Sequence, residues 1–247
     1  MIPILSHIAG QTIVKEKTLM VFDEVQLCER ALTSLKYFCE NAPDYHIIVA
    51  GSLLGVAVNR AKFSFPVGKV DMKTLYPMDM EEFMLALGED DLVKQIKKCF
   101  QTDTPLPSAL HDAAMQLYRQ YLVVGGMPEC VMQFAGTKDY ILVRHTQDTI
   151  LASYLNDMSK YNTLNEIKRT RLAYDNITVQ LSKKNTRFQY KLIKKGGRAS
   201  EFENAIEWLC LSGIVSQVYK VEQIKKPLEN YRDIDAFKIY VSDLGLL

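Results

Sequence analysis

The sequence lacks the features that mark membrane, secreted and zinc-binding proteins. No apolar run approaches the roughly 20 residues that a membrane-spanning helix needs. The N-terminus has neither the basic start nor the apolar core of a secretory signal. The five cysteines are scattered without a C-x-x-C pair, and only four histidines accompany them. These absences favour core thiols in a reducing compartment over disulfides or a zinc site, so we expect a cytoplasmic protein with no membrane partner.

Size and charge narrow the class further. With 247 residues, 48% of them hydrophobic, the chain is long enough to bury one large core or two modest ones. The net charge of +1 is unevenly distributed: residues 1–160 carry 15 basic residues against 19 acids, net −4, and residues 161–247 carry 15 against 10, net +5. The densest basic stretch, which contains no acid, holds Lys183, Lys184, Arg187, Lys191, Lys194, Lys195 and Arg198. Two interpretations remain open for it, a nucleic-acid contact surface and a solvated face opposite an apolar stripe.

An apolar run that leads directly into two carboxylates is the most informative motif. Thr18–Phe22 reads as a short buried strand, and Asp23 and Glu24 follow it at once. Parallel strands in α/β proteins are continuous apolar runs, and their carboxyl ends present side chains to a bound ligand. This pattern is typical of a Walker B strand, in which the first acid holds the water shell of Mg²⁺ and the second orients the attacking water. Taken alone, two solvated acids at the start of a helix explain the pair equally well.

The first 75 residues alternate between strand and helix patterns. Helical spacing over Leu27–Glu40 is followed by a β-rich run over Tyr45–Ala50, and a strand, a helix and a second strand predict a parallel pair. The second strand breaks at Gly51, which predicts that Ser52 lies beside the two acids, although a serine after a glycine is also a common helix cap. A third strand is predicted over Phe65–Leu75.

From Tyr76 onward the patterns are helical. Asp79 is placed to cap a helix that starts at Met80, and Gly88 is placed to end it. We interpret the Gly125-Gly126 turn before Pro128 as architectural, because no Lys-Ser/Thr follows it. Further helices are predicted at Leu92–Phe100, Ser108–Val124, Pro128–Phe134 and Lys138–Lys160.

The last third of the chain predicts a winged helix. Helices followed by two alternating strands with a polar loop between them form the pattern of a winged helix-turn-helix. The predicted elements are helices at Leu164–Tyr174, Ile177–Ser182 and Ser200–Leu211 and strands at Ile214–Val221 and Phe237–Val241. Winged helices bind either DNA or other proteins, so this pattern leaves the partner open.

Five segments in one order resemble prokaryotic AAA-superfamily ATP-binding proteins, in which an ATPase core precedes a winged helix and a nuclease-like domain. The segments are Phe22–Gln26, Gly51–Leu54, Tyr76–Phe83, Gly125–Pro128 and Phe237–Leu247. The resemblance implies ATP and Mg²⁺ as ligands, with Asp23 as the magnesium-coordinating acid, Glu24 as the water-activating acid and Ser52 as a γ-phosphate sensor. Arg60 would face a nucleotide or a neighbouring subunit, and the resemblance is compatible with oligomerisation.

The sequence departs from this family at both ends. It contains no G-x-x-x-x-G-K-[ST] phosphate loop, and it stops where the family continues into the nuclease-like region. A truncated gene, a fragment of a longer protein and a phosphate loop on a separate chain each explain this pattern. Because the phosphate-cradling amides and lysine are missing, we expect that the chain alone neither binds ATP tightly nor hydrolyses it.

We therefore predict an α/β protein in three parts. Residues 1–75 form a partial AAA-like P-loop NTPase core, residues 76–160 a helical connector, and residues 161–247 a winged helix. The expected function is that of an ATP-binding, AAA-type ATPase-like protein whose nucleotide chemistry is compromised. The alternative is a DNA-binding or protein-interaction module that uses the winged helix.

Overall fold

The fold was examined in a computed structural model that describes residues 2–51, 68–161, 163–184 and 186–247. The chain divides into two compact units, residues 1–74 and 75–247. The three-part division expected from the sequence stays a prediction. Within the described ranges no helix is long and apolar enough to cross a bilayer.

The first unit is built around a pair of parallel strands. Helix α1 (Ile2–Ala9) precedes strand β1 (Leu19–Phe22), and helix α2 (Glu29–Asn41) connects β1 to strand β2 (His46–Val49). The strands pair in register from Leu19 opposite His46 to Phe22 opposite Val49. The predicted strand–helix–strand order and the parallel pairing are confirmed, whereas α1 had no counterpart in the sequence analysis.

One face of this sheet packs on α2. Leu32 and Leu35 of α2 form a buried cluster with Val25, and Ile47, Val49 and Val70 pack against it. The apolar positions of α2 recur at helical spacing, so a single stripe of the helix covers the strands.

The predicted strand at Phe65–Leu75 is wrong over residues 68–75, which contain no strand. Gly68 has φ of +73°, a left-handed conformation that departs from extended geometry. Beyond it only Val70 joins the apolar cluster, and Met72 and Leu75 are exposed. Residues 65–67 lie outside the described ranges, as do Ser52 and Arg60.

The second unit begins with a helical assembly. Its helices are α3 (Met80–Ala86), α4 (Asp90–Gln101), α5 (Ser108–Val124), α6 (Pro128–Thr137) and α7 (Tyr140–Tyr161). Asp79 caps α3 as predicted: its carboxylate accepts the Glu82 amide at 2.9 Å, and the Glu82 carboxylate accepts the Asp79 amide at 2.9 Å. The centre of this assembly is a buried cluster of Phe83, Val124, Cys130, Val131, Phe134 and Val143.

Two more helices and a hairpin complete the second unit. Helix α8 (Leu164–Leu181) is continuous, so the predicted interruption between Tyr174 and Ile177 is wrong. Ala173 and Ile177 lie one helical turn apart and are both fully buried. Because they pack on the same side of the helix, the helix continues through the polar residues between them. Helix α9 (Ala199–Leu211) then leads into the antiparallel strands β3 (Val215–Val221) and β4 (Arg232–Val241).

Candidate functional site

The two acids of the sequence motif lie at the carboxyl end of the parallel pair. Hydrogen bonds continue past the strand ends, because the Ala50 amide donates to the Phe22 carbonyl at 2.9 Å and the Val25 amide donates to the Ala50 carbonyl at 3.0 Å. Asp23 and Glu24 therefore occupy a fixed turn beside the end of β2. This is the sheet edge at which α/β proteins bind ligands.

The local backbone holds the two carboxylates in different settings. Asp23 Oδ1 accepts the Glu24 amide at 2.9 Å, and the Glu24 carboxylate accepts a hydrogen bond from the side-chain amide of Gln26. Glu24 has φ of +51° and ψ of +39°, a left-handed conformation that is unfavourable for a residue with a Cβ. Strained residues of this kind cluster at functional sites. Both carboxylates are exposed to solvent.

The donor set suits a hard cation held mainly through water. Within the described residues there is no group of three or more His, Cys, Asp or Glu side chains that could hold a metal ion. Mg²⁺ usually binds through one or two carboxylates together with waters and substrate phosphates. Asp23 and Glu24 fit that requirement, and they would need phosphate oxygens to complete the coordination.

The face of the sheet opposite α2 is uncovered in the described structure. Leu19 is 52% exposed, Val21 60% and Ile48 55%. Parallel sheets are normally covered on both faces, because their strands are apolar on both sides. The acidic edge therefore belongs to a sheet that presents bare apolar side chains to solvent.

The basic stretch, for which a nucleic-acid contact and a solvated face were both left open, lies on the surface of the second unit, between α8 and α9. Its seven side chains are all exposed, namely those of Lys183, Lys184, Arg187, Lys191, Lys194, Lys195 and Arg198. Lys194 pairs with Glu201 at 2.6 Å, and the Arg187 guanidinium donates to the Asp235 carbonyl at 2.6 Å. At least two of the seven cations are thus engaged by groups in the described part of the chain.

A buried aspartate, which the sequence analysis did not single out, joins two glycine-containing segments of the second unit. Asp243 accepts the Gly126 amide at 2.6 Å and the Gly245 amide at 2.7 Å, one on each carboxylate oxygen. Burial raises the pKa of this carboxyl, and amide hydrogen bonds from Gly126, Gly245, Met127 and Leu246 oppose part of that rise. A carboxylate that accepts several amides resembles an anion held by a nest of backbone donors, here supplied from within the fold.

These segments need glycine because a Cβ atom would overlap neighbouring atoms. Gly125 has φ of +76°, and a Cβ there would collide with the Asp243 carboxylate. A Cβ on Gly245 would lie 2.5 Å from the Val124 carbonyl oxygen. The Gly-Gly turn is therefore architectural, as its sequence indicated, and its partner is the Asp243 turn. An aspartate placed two residues before a glycine was the only sequence signal of this contact.

Comparisons with known proteins define the class of the chain. Residues 3–84 match an AAA domain. A solved structure, the Walker-type ATPase of Pyrococcus abyssi, aligns with a TM-score of 0.52 and 12% identity over 92% of this chain. The chain spans 61% of that structure's length, and at this identity the likeness shows the fold alone. The AAA match to residues 3–84 and the fold shared with a Walker-type ATPase support the ATPase-like resemblance that the sequence motifs indicated.

The second half of the chain gives the family. Residues 115–247, more than half of the chain, match the family described as Domain of unknown function (DUF8612), and the chain belongs to that family. A comparison with curated proteins found no match.

Proposed function

We propose that the first unit supplies the acidic half of an AAA-type Mg²⁺–ATP site. The observation that carries this proposal is the position of Asp23 and Glu24 at the carboxyl end of β1, fixed beside the end of β2 by the Val25 and Ala50 amides. Mg²⁺, when bound, would neutralise phosphate charge. Asp23 would hold its water shell, and Glu24, oriented by Gln26, would position the attacking water.

The phosphate-binding half of this site has to come from another polypeptide segment. The sequence contains no phosphate loop, and backbone amides with a lysine are what hold the β- and γ-phosphates in P-loop proteins. The exposed apolar face of β1 and β2 supports the same conclusion, since an added strand and helix would cover it. The chain alone is therefore expected to bind ATP weakly and to hydrolyse it inefficiently.

Calorimetry with Mg²⁺–ATP on the purified chain tests this proposal. We expect no binding in the micromolar range, and a micromolar dissociation constant would contradict the proposed division of the site. Where hydrolysis is measurable, alone or in a complex purified from cells, Glu24→Gln should lower its rate by at least about 100-fold, the minimum expected for loss of an acid–base group. Glu16→Gln, an exposed acid of the same unit, is the matched control. Hydrolysis that survives Glu24→Gln would show that Glu24 does not activate the water.

A second candidate function is a winged-helix module that binds a macromolecular partner, DNA or protein. The observation that favours it is the succession of α8, a 3-10 turn at Tyr190–Leu192, α9 and the β3–β4 hairpin, which is the element order of a winged helix-turn-helix. For DNA, binding to a labelled duplex should weaken steeply as salt is added, because phosphate contacts release counterions. No binding at low salt would remove the DNA hypothesis.

A further inference from the structure

A wide cleft opens between α9 and the β3–β4 hairpin of the second unit. Its volume is about 1060 Å³. Buried Phe188 and Phe237 stack at its floor with ring centroids 5.7 Å apart, and Tyr190 meets Phe188 edge-on at 5.6 Å. Tyr219 packs against Phe237 at 5.7 Å. The floor is therefore a rigid aromatic surface, the kind of surface on which binding energy concentrates at protein interfaces.

The wall that α9 contributes to the cleft is acidic. Glu203 and Glu207 are exposed, lie one turn apart on the same face of α9, and line the cleft together with Asp235 of β4. No ion pair or hydrogen bond to either glutamate side chain is found in the part of the chain that the structure describes. Arg187 and Lys191 also line the cleft, and the Arg187 guanidinium donates to the Asp235 backbone carbonyl of β4.

The hydroxyl of Tyr190, which also lines the cleft, is influenced by the acidic wall. The pKa of the Tyr190 hydroxyl is raised to about 12, first by burial and then by the nearby Glu203 carboxylate, with a smaller contribution from Asp235. Three carboxylates, those of Glu203, Glu207 and Asp235, line the cleft together with two cations, those of Arg187 and Lys191.

We propose that this cleft binds a cationic amphipathic segment of a partner protein. Lysine or arginine side chains of that segment would pair with Glu203 and Glu207, and its apolar side chains would pack on the aromatic floor. The volume of about 1060 Å³ lies just above the roughly 300–1000 Å³ that small-molecule sites occupy, which favours a polypeptide over a metabolite. The proposal rests on the winged-helix candidate function and is independent of the nucleotide site.

Charge also decides between this partner and DNA. In helix-turn-helix proteins the helix in the position of α9 enters the major groove, between two rows of phosphates. Two uncompensated glutamates on its exposed face would be repelled there, since phosphate contacts are made by lysine and arginine.

Selection from a displayed library of random peptides against the full chain tests the proposal. The enriched peptides should combine lysine or arginine with aromatic or aliphatic residues. In fluorescence anisotropy, Glu203→Gln and Glu207→Gln should each weaken such a peptide about two- to fivefold, the range for exposed ion pairs. Asn204→Trp, at an exposed position that lines the cleft, should weaken it more by filling the cleft. Glu222→Gln, an exposed acid outside the cleft, should leave binding unchanged.

The remaining outcomes overturn the inference. Enrichment of acidic peptides, or no enrichment at all, would show that the cleft does not select cations. Equal affinity of the glutamine variants and the wild type would place the binding surface elsewhere. If a labelled DNA duplex binds and Glu203→Gln strengthens that binding, α9 faces nucleic acid, and the winged-helix candidate survives without the proposed peptide partner.

Discussion

Replacing Asp243 by asparagine tests whether the contact between its turn and the Gly-Gly turn holds the second unit together. Asparagine keeps the shape of the side chain and one acceptor oxygen. Its NH2 group, however, would face a backbone N–H and cannot accept a hydrogen bond from it. Gly126 or Gly245 would lose its hydrogen bond, now 2.6 or 2.7 Å long. A hydrogen bond to a charged group contributes about 1.5–3 kcal/mol, and an unpaired buried amide costs about 1–3 kcal/mol.

Part of that loss is offset. Burial raises the pKa of Asp243, so the ionised carboxylate bears a desolvation cost that a neutral asparagine avoids. We expect a net loss of about 1–3 kcal/mol, which at about 2–4 °C per kcal/mol for a unit of this size lowers Tm by about 2–12 °C.

Trp208 provides the assay, because it is the one tryptophan of the chain and is buried in α9 of the second unit. Urea unfolding followed by its fluorescence should show a lower midpoint for Asp243→Asn with an unchanged slope. Asp112→Asn, at an exposed position of α5, is the control. A midpoint equal to that of the wild type would refute the reasoning, since it would mean that the buried amides find other partners at no cost.

Two further predictions concern the same unit. The pKa of Tyr174 is raised to about 12, chiefly by burial, so the stability that this shift contributes is complete below pH 10 and is lost as the pH rises towards 12. Tyr174→Phe should therefore flatten the fall in Tm between about pH 9 and 11, whereas Tyr118→Phe, at an exposed position, should not. An unchanged slope of Tm against pH in Tyr174→Phe would argue against this origin of the pH dependence. Phe83 is fully buried, so Phe83→Ala should destabilise the unit by about 3–5 kcal/mol in urea unfolding; Phe100→Ala, at a position 88% exposed, should cost far less, and similar losses for both would contradict the assigned core.

Local patterns predicted most of the helical elements because each depends on nearby residues. The helix over Ser108–Val124 has the predicted bounds, since a proline precedes it and a glycine follows it. The capping box likewise joins residues that are only three positions apart, Asp79 and Glu82. Such signals involve only residues within one or two helical turns of each other, so they can be recognised directly in the sequence.

Contacts between residues that are far apart in the sequence could not be predicted from its local patterns. The hydrogen bond between Gly126 and Asp243 joins residues 117 positions apart, and no helical or strand periodicity of the sequence predicts it. Strand β4 begins at Arg232, five residues before the predicted Phe237, because pairing with β3 extends it through polar positions. The acidic face of α9 was visible in the sequence, but its meaning depended on the aromatic floor opposite it, which only the fold brings together.

The distribution of buried side chains bears on how the nucleotide site would work. In residues 2–51 and 68–74 the buried apolar side chains are those of Met20, Val25, Leu32, Leu35 and Phe38. In the described part of this unit the sheet has two parallel strands and one exposed face, and two paired strands have little stability of their own. A segment that covered Leu19, Val21 and Ile48 would therefore stabilise the unit by burying apolar area, and it would fix the strand ends that carry Asp23 and Glu24. If that same segment brings the phosphate-binding amides, the order of the acidic edge and the binding of ATP are coupled. Weak ATP binding in the calorimetric test would then reflect both a missing set of ligands and an incompletely supported sheet.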